Sequence, residues 1–207
     1  PTPGALAVNV LILNHEFPPV GGGAANATAC IARELSSLGV RATVMTTAYN
    51  GLPRLEVRDG FPIIRVPAWR KNAMESHPHE LLSYLVGAFW KALPYCRHSG
   101  PDLVHAFFGL PSGGLASALN RLTGVPYLIS FRGRDVHGGR GLDSNGIAGP
   151  MRAVRRVIWR QADALVANSH GLKRIARCVD PGVDVRVIPN GIDTSRFAPG
   201  PPAGSDR

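Results

Sequence analysis

Residues 15–39 read HEFPPVGGGAANATACIARELSSLG, with two prolines and three consecutive glycines where a segment of helical spacing begins. That order of residue types suits an anion. The first N–H groups of a helix have no intrahelical partner and carry about half a positive charge. Glycines there let a phosphate approach the backbone closely. A strand-to-helix turn alone needs one residue with positive φ, so one glycine would serve it. Three in a row, behind the stiff Pro18 and Pro19, point to ligand contact. Two other phosphate cradles fit less well. A dinucleotide fingerprint G-x-G-x-x-G finds Gly21 and Gly23, but Asn26 stands at its third position. Met45-Thr46-Thr47 closes the second strand where an acidic residue belongs. A P-loop needs a lysine after its glycines, and none follows.

Other residue types with chemical potential are scattered. His105 stands near the end of a strand, where a backbone contact alone could satisfy it. Ser169, behind Asn168, is a good helix N-cap. Arg152, Arg155, Arg156 and Arg160 recur at helical spacing and make one basic face, set apart from Val154, Val157 and Ile158. Such a face is either solvated or a docking surface for a membrane or a lipid phosphate. The cysteines Cys30, Cys96 and Cys178 have no zinc or CxxC spacing. They read as reduced thiols of a cytoplasmic protein, with Cys30 in the core.

The elements that must position these groups alternate. VNVLIL (8–13) reads as a first strand, and Ala27, Ile31, Leu35 and Leu38 share a helix face with Gly39 as its left-handed cap. Strands follow at 40–46 and 62–67, a helix through 81–93, and a strand at 102–108. Pro111 opens a helix that carries Leu115, Leu119 and Leu122. Then come a buried strand (126–131), a helix (151–162), a strand (163–168), a helix (171–179) and a last strand (185–190). Repeated β-α-β units imply a Rossmann-like, doubly wound parallel sheet of the α/β class. GGRGLDSNGIAG (138–149) reads as a loop, and 190–207 as the start of a linker after one domain at 1–189.

Composition bounds the partners. The chain has 207 residues and a net charge of +9, enough for one domain and its core. Its sequence pI is about 10.3. A basic balance favours anionic partners. Arginine supplies most of the 23 basic residues, which suits bidentate phosphate contacts or a solvated surface equally. Nucleic acid is disfavoured, because no binding motif or interleaved aromatic surface accompanies the charge. No apolar run reaches the roughly 18 residues of a membrane span. The first strand lacks the basic leader of a signal peptide, and Pro1 in place of methionine reads as a trimmed start.

With these residues in view, the chain resembles the N-terminal half of glycosyltransferase family 4 enzymes, of the two-Rossmann GT-B fold. FPPVGGGAANATACIARELSSLGVRATVMT resembles the family's opening strand, P-P-x-x-G-G loop and helix. DLVHAFFGLPSGG (102–114) resembles its D-x-V-H-x-H segment, and VPYLISFRGRDV (125–136) its T-x-H-G-x-D loop. ADALVANSHGLK (162–173) resembles the segment with a serine before a helix, and VRVIPNGIDTSRFAP (185–199) the hinge into a second domain. The resemblance implies the acceptor-side half of a retaining enzyme that transfers a hexosyl or similar sugar. The donor would be a nucleotide sugar, the acceptor a glycan, lipid or small molecule. No metal or other cofactor would be needed. Gly22 and Gly23 would approach the donor's pyrophosphate, with His105, Asn168 and Ser169 beside the cleft. Where the family often places histidine this chain has Arg132, and Asp135 still matches. An arginine cannot act as a base, so Arg132 with Asp135 would act electrostatically. The donor-binding domain would lie beyond residue 207, leaving this fragment inactive alone. The protein would be cytoplasmic, with peripheral contact at the membrane's inner face. The alternative is a stand-alone carbohydrate- or phosphate-binding module without catalysis.

Overall fold

The computed structural model of the chain describes residues 8–133, 136, 148–192 and 194. In chain order these form β1 (Asn9–Leu13), α1 (Gly23–Ser37), β2 (Arg41–Thr47), β3 (Leu55–Arg58), β4 (Phe61–Val66), α2 (Pro78–Ser99) and β5 (Leu103–Phe107). After them come α3 (Gly113–Thr123), β6 (Tyr127–Phe131), α4 (Ala148–Gln161), β7 (Ala164–Ala167), α5 (His170–Val179) and β8 (Val185–Val187). The strands make one sheet in the order β3-β4-β2-β1-β5-β6-β7-β8. Every neighbouring pair is parallel except β3 with β4. The expected doubly wound α/β sheet is therefore present, with an antiparallel edge strand added.

β3 escapes the sequence pattern because LEVR is short and its hydrophobic residues face water. Leu55 and Val57 are exposed. The strand is held by its ladder to β4 and by Glu56, whose carboxylate accepts from Arg65 Nη1 at 2.6 Å and from Arg58 Nη2 at 2.6 Å.

β1 is buried over its whole length, as a parallel strand covered on both faces must be. Alternation divides the core. Leu11, Leu13, Val104, Ala106 and Ile129 face one layer, which α2 and α3 supply with Tyr84, Ala88, Leu115 and Leu119, and α4 with Trp159. Val10, Ile12, Val44 and Ile63 face the other layer, where α1 contributes Ala32. On the first layer Phe131 meets Trp159 edge-on at 4.7 Å.

Local devices set the helix ends. Gly39 has φ +82. Its N–H donates to Ser36 O and that of Val40 to Leu35 O, both at 3.0 Å, which closes α1 in a Schellman motif. The buried line of α1 is Ala25, Thr28 and Ala32. Ile31 and Leu35 pack beside it, whereas Leu38 projects into solvent. Cys30, expected in the core, is exposed on the opposite side of the same helix. α3 begins at Gly113 rather than at Pro111. The preceding residues Phe108–Ser112 form one wide turn with Phe108 at φ +73 and Leu110 extended. β8 ends at Val187, three residues earlier than expected.

Candidate functional site

The strand order reverses at β1. From it the chain moves to β2 on one side, while β5 occupies the other. The α1 crossover lies on one face of the sheet, and the helices that follow β5 lie on the other. In open α/β sheets this arrangement opens a crevice at the carboxyl ends of the two strands. The glycine loop leaves β1 at that crevice.

The loop is anchored from both ends. Asn14 is fully buried and donates through Nδ2 to Thr28 Oγ1 at 2.7 Å, while its Oδ1 accepts from the Glu16 N–H at 3.0 Å. The Gly21 N–H donates to Ala73 O at 2.7 Å. Only Gly21 has positive φ, +90, and a Cβ placed on it would lie 2.6 Å from Glu16 Cβ. The turn's need for glycine therefore falls on Gly21. Gly22 is the N-cap of α1 and Gly23 its first residue, and a Cβ on either would meet nothing within 4 Å.

One anion already sits at this loop. Burial pushes the Glu16 carboxyl up, but His15, Arg70 and the Gly22 N–H outweigh it and hold the group below the usual carboxylate range. The Gly22 N–H thus engages an internal carboxylate.

α1 packs mainly over β2 and β4. Farther along the same face, the side chains of β5, β6 and β7 line a cleft of about 450 Å³. Gly23, Asn26 and Cys30 of α1 form one wall, His105, Ser130, Arg132 and Val166 the floor, and Ile188–Gly191 the opposite wall. Gly23, His105 and Arg132, far apart in the chain, are brought together here. Phe131 is buried and Arg132 follows it at the strand's end.

The floor carries a stack of polar groups on an aromatic base. His105 is 9% exposed, and its Nε2 lies 2.8 Å from Ser130 Oγ. Its ring lies over Phe107 with centroids 4.6 Å apart. The Arg132 guanidinium sits 4.5 Å from the same Phe107 ring, and Nη1 donates to Asn190 Oδ1 at 2.8 Å. Burial, and then the Arg132 charge, lower the His105 pKa to about 3. The cleft therefore presents a neutral imidazole, a hydroxyl and a fixed cation. That set can orient sugar hydroxyls and stabilise a phosphate.

Asp135 lies outside the described residues, so the expected Arg132–Asp135 pair has no geometry here. Asn168 and Ser169 stand past the end of β7 and do not line the cleft. Ser169 Oγ accepts from the Leu172 N–H at 3.2 Å, the N-cap role of its residue type. Ser130, Asn190 and Cys30 are cleft residues that the sequence did not single out. Ser130 was legible in principle, because strand alternation puts it on the same face as Arg132, two positions on.

Three of the four arginines on the α4 face, Arg152, Arg156 and Arg160, are spent internally. Arg152 Nε and Arg156 Nε each donate to Val179 O at 3.2 Å, and Arg152 Nη2 to Cys178 O at 3.3 Å. Arg160 forms a two-point pair with the buried Asp180 at 2.7 and 2.9 Å. These cations close the C-terminus of α5, where unpaired carbonyls carry partial negative charge.

Among the described residues, no group of three or more His, Cys, Asp and Glu side chains could hold a metal ion. No helix there is long and apolar enough to cross a membrane.

Comparison with known proteins identifies the family and the fold. The model of the glycosyl transferase 4-like domain matches residues 22–191. A teichuronic acid biosynthesis glycosyltransferase of Bacillus subtilis is 33% identical over 150 residues, covering 70% of this chain and 35% of its own length. The D-inositol 3-phosphate glycosyltransferase of Corynebacterium jeikeium is 28% identical over 193 residues, covering 86% of this chain and 43% of its own. The chain thus spans less than half the length of these curated relatives. Among solved structures, sucrose-phosphate synthase of Thermosynechococcus elongatus superposes with a TM-score of 0.74 at 18% identity, covering 91% of this chain and 49% of that one. This last likeness is one of fold.

Proposed function

The chain belongs to the glycosyl transferase 4-like domain family, and from that premise we propose that it is the acceptor-side half of a retaining glycosyltransferase. The donor is a nucleotide sugar bound mainly by a second domain that follows the linker at 190–207. The acceptor, a glycan, lipid or small molecule, enters the cleft between α1 and Ile188–Gly191. The single observation that carries this reading is the convergence of Gly23, His105 and Arg132 on one cleft over β5, β6 and β7, beside the point where the strand order reverses.

In this reading, retention places the new bond on the face that the leaving phosphate vacates. The cost of that geometry is charge, which builds on the departing diphosphate as the sugar bond breaks. Arg132 lies where a fixed guanidinium offsets such charge without reorganising. Gly23 leaves open space beside a helix N-terminus, so a phosphate can approach the backbone. His105 stays neutral and serves as a hydrogen-bonding group to a sugar hydroxyl, held in orientation by Ser130. No metal is assigned a role. The name of one relative includes an inositol phosphate, and an acceptor of that kind suits a cleft that holds the Arg132 cation. The three thiols are all unpaired, which supports a reducing, cytoplasmic setting.

The test is sugar transfer. The whole enzyme, assayed with a panel of nucleotide sugars and phosphorylated or lipid acceptors, should turn over with or without EDTA. Residues 1–207 alone should show no transfer above blank. Transfer by the isolated half, or none by the whole enzyme with any donor, would overturn the assignment. The second result would favour a carbohydrate- or phosphate-binding module.

A further inference from the structure

α1 starts without an anion of its own. Its N-cap is Gly22, no side chain caps it, and its first turn holds no acidic residue. The unpartnered N–H groups of a helix start attract negative charge, and the loop before the helix supplies it. Glu16 follows β1, and Asn14 Oδ1 accepts from its N–H at 3.0 Å. The Val20 N–H donates to Phe17 O at 2.9 Å, which turns the chain back and sets the Glu16 side chain against Gly21. That side chain is 12% exposed, and its carboxylate accepts from the Gly22 N–H. Glu16 does not line the cleft, whereas Gly23, the residue after Gly22, does.

A resident anion opposes a second one. Consecutive Cα atoms are about 3.8 Å apart, so a phosphate at the Gly23 N–H stands about one residue from the N–H that Glu16 occupies. Repulsion between them falls only as the inverse of distance. The counter-charge comes from Arg70, in the segment between β4 and α2. Its Nη1 donates to His15 O at 3.2 Å, its Nη2 to Ala73 O at 3.1 Å and its Nε to Asn72 O at 3.0 Å. Ala73 O also accepts from the Gly21 N–H at 2.7 Å. The guanidinium is thus fastened to both ends of the loop, and its charge reaches Glu16 through space. His15 Nε2 adds a partner 3.6 Å from Glu16 Oε1. Glu80 acts on Arg70 less than Glu16 does. Its carboxylate is taken up by the Lys71 and His77 N–H groups, both at 2.8 Å.

We propose that Glu16 and Arg70 together set the charge that a diphosphate meets at the glycine loop. Glu16 holds the Gly22 N–H and so fixes Gly23 at the cleft, while Arg70 offsets the Glu16 charge and lets a second anion approach. Both are positioning residues, since neither lines the cleft. The ligand class is a diphosphate diester such as a nucleotide sugar, and to that extent the inference rests on the proposed function. A mere brace would need the forked shape of Arg70, whereas a counter-charge needs only its sign.

The test uses the whole enzyme and reads donor KM and kcat, the Kd of inorganic pyrophosphate by calorimetry, and the melting temperature. Glu16→Gln keeps an acceptor for the Gly22 N–H and removes the charge. Donor KM and pyrophosphate Kd should fall at least about threefold, with kcat within about twofold of wild type. Arg70→Gln should raise both at least about tenfold. Arg70→Lys keeps the charge without the fork and should stay within about threefold of wild type. Should Arg70→Gln fail to fold, Glu16→Gln with Arg70→Gln restores neutrality and should also stay within about threefold. In a Gly23→Val background, Glu16→Gln should bring no gain in pyrophosphate binding, because the two act at one place. Unchanged or higher KM and Kd in Glu16→Gln, Arg70→Lys as damaging as Arg70→Gln, or a gain that survives Gly23→Val would overturn the proposal. So would a wild type that binds no pyrophosphate. A wild type that binds pyrophosphate but is inert with every donor counts against the proposed function, and the Kd values then decide the charge pairing by themselves.

Discussion

At the scale of single residues, Arg132 and His105 make opposite claims on charge. Arg132 is a permanent cation that lies over Phe107 and reaches Asn190. In the whole enzyme, Arg132→Ala should lower turnover about 100-fold, the size of losing one preorganised donor. Arg132→Lys should cost about tenfold, since a fork becomes a point charge. Arg132→His should fall between, and steady-state rates for the three variants decide the matter. His105 is a buried base whose pKa is depressed to about 3. Below pH about 6.5 the unfolded chain takes up a proton that the folded one refuses. Stability should therefore fall as the pH drops, at up to about 1.4 kcal/mol per pH unit from this one group. His105→Gln keeps a partner for Ser130 and should flatten that slope between pH 6.5 and 5, read from urea midpoints. The depressed carboxylates, Glu16 among them, act in another window. Their stabilisation is full above their ordinary pKa and is lost as the pH falls below it. The family resemblance, rather than residue type or spacing, pointed to Arg132 and His105 as site residues. Ser130 and Asn190 became visible only once pairing of β5 with β6 and the turn after β8 set them beside those two.

At the scale of elements, what the sequence spelled out was the periodic part. Every interior strand and helix was legible, because burial on a parallel sheet writes long apolar runs and a helix writes a repeat of 3.6. β3 was not, since its leucine and valine face solvent and a ladder to β4 holds it. The face of α1 was read only in part, since Ile31 and Leu35 pack at its edge while the small residues Ala25, Thr28 and Ala32 take the close contact with the sheet. The division of labour among the glycines was likewise invisible without φ angles. Gly21→Ala puts a Cβ against Glu16 at positive φ and should destabilise by about 1–3 kcal/mol. Gly23→Ala meets open space within a helix and should leave stability unchanged or raise it by up to about 1 kcal/mol. Urea denaturation of the two variants side by side separates the turn's needs from the ligand's.

At the scale of the whole molecule, the sheet places its two helical layers so that one face of β5, β6 and β7 opens onto a cleft. The chain's exit at Ile188–Gly191 forms the far wall. A cleft walled on one side by a helix start and on the other by the segment after β8 suits the proposed site shared between two domains. The central claim is that the glycine loop faces a ligand there, and Gly23→Val in the whole enzyme tests it most directly. The side chain fits the fold, because nothing lies within 4 Å of its first carbon, yet it fills the approach to the start of α1. The measurement is donor turnover alongside the melting temperature of the same sample. The account predicts turnover reduced at least tenfold with the melting temperature within a few degrees of wild type. A collapsed melting temperature with full activity in the surviving protein would contradict it and leave the glycines to the turn alone.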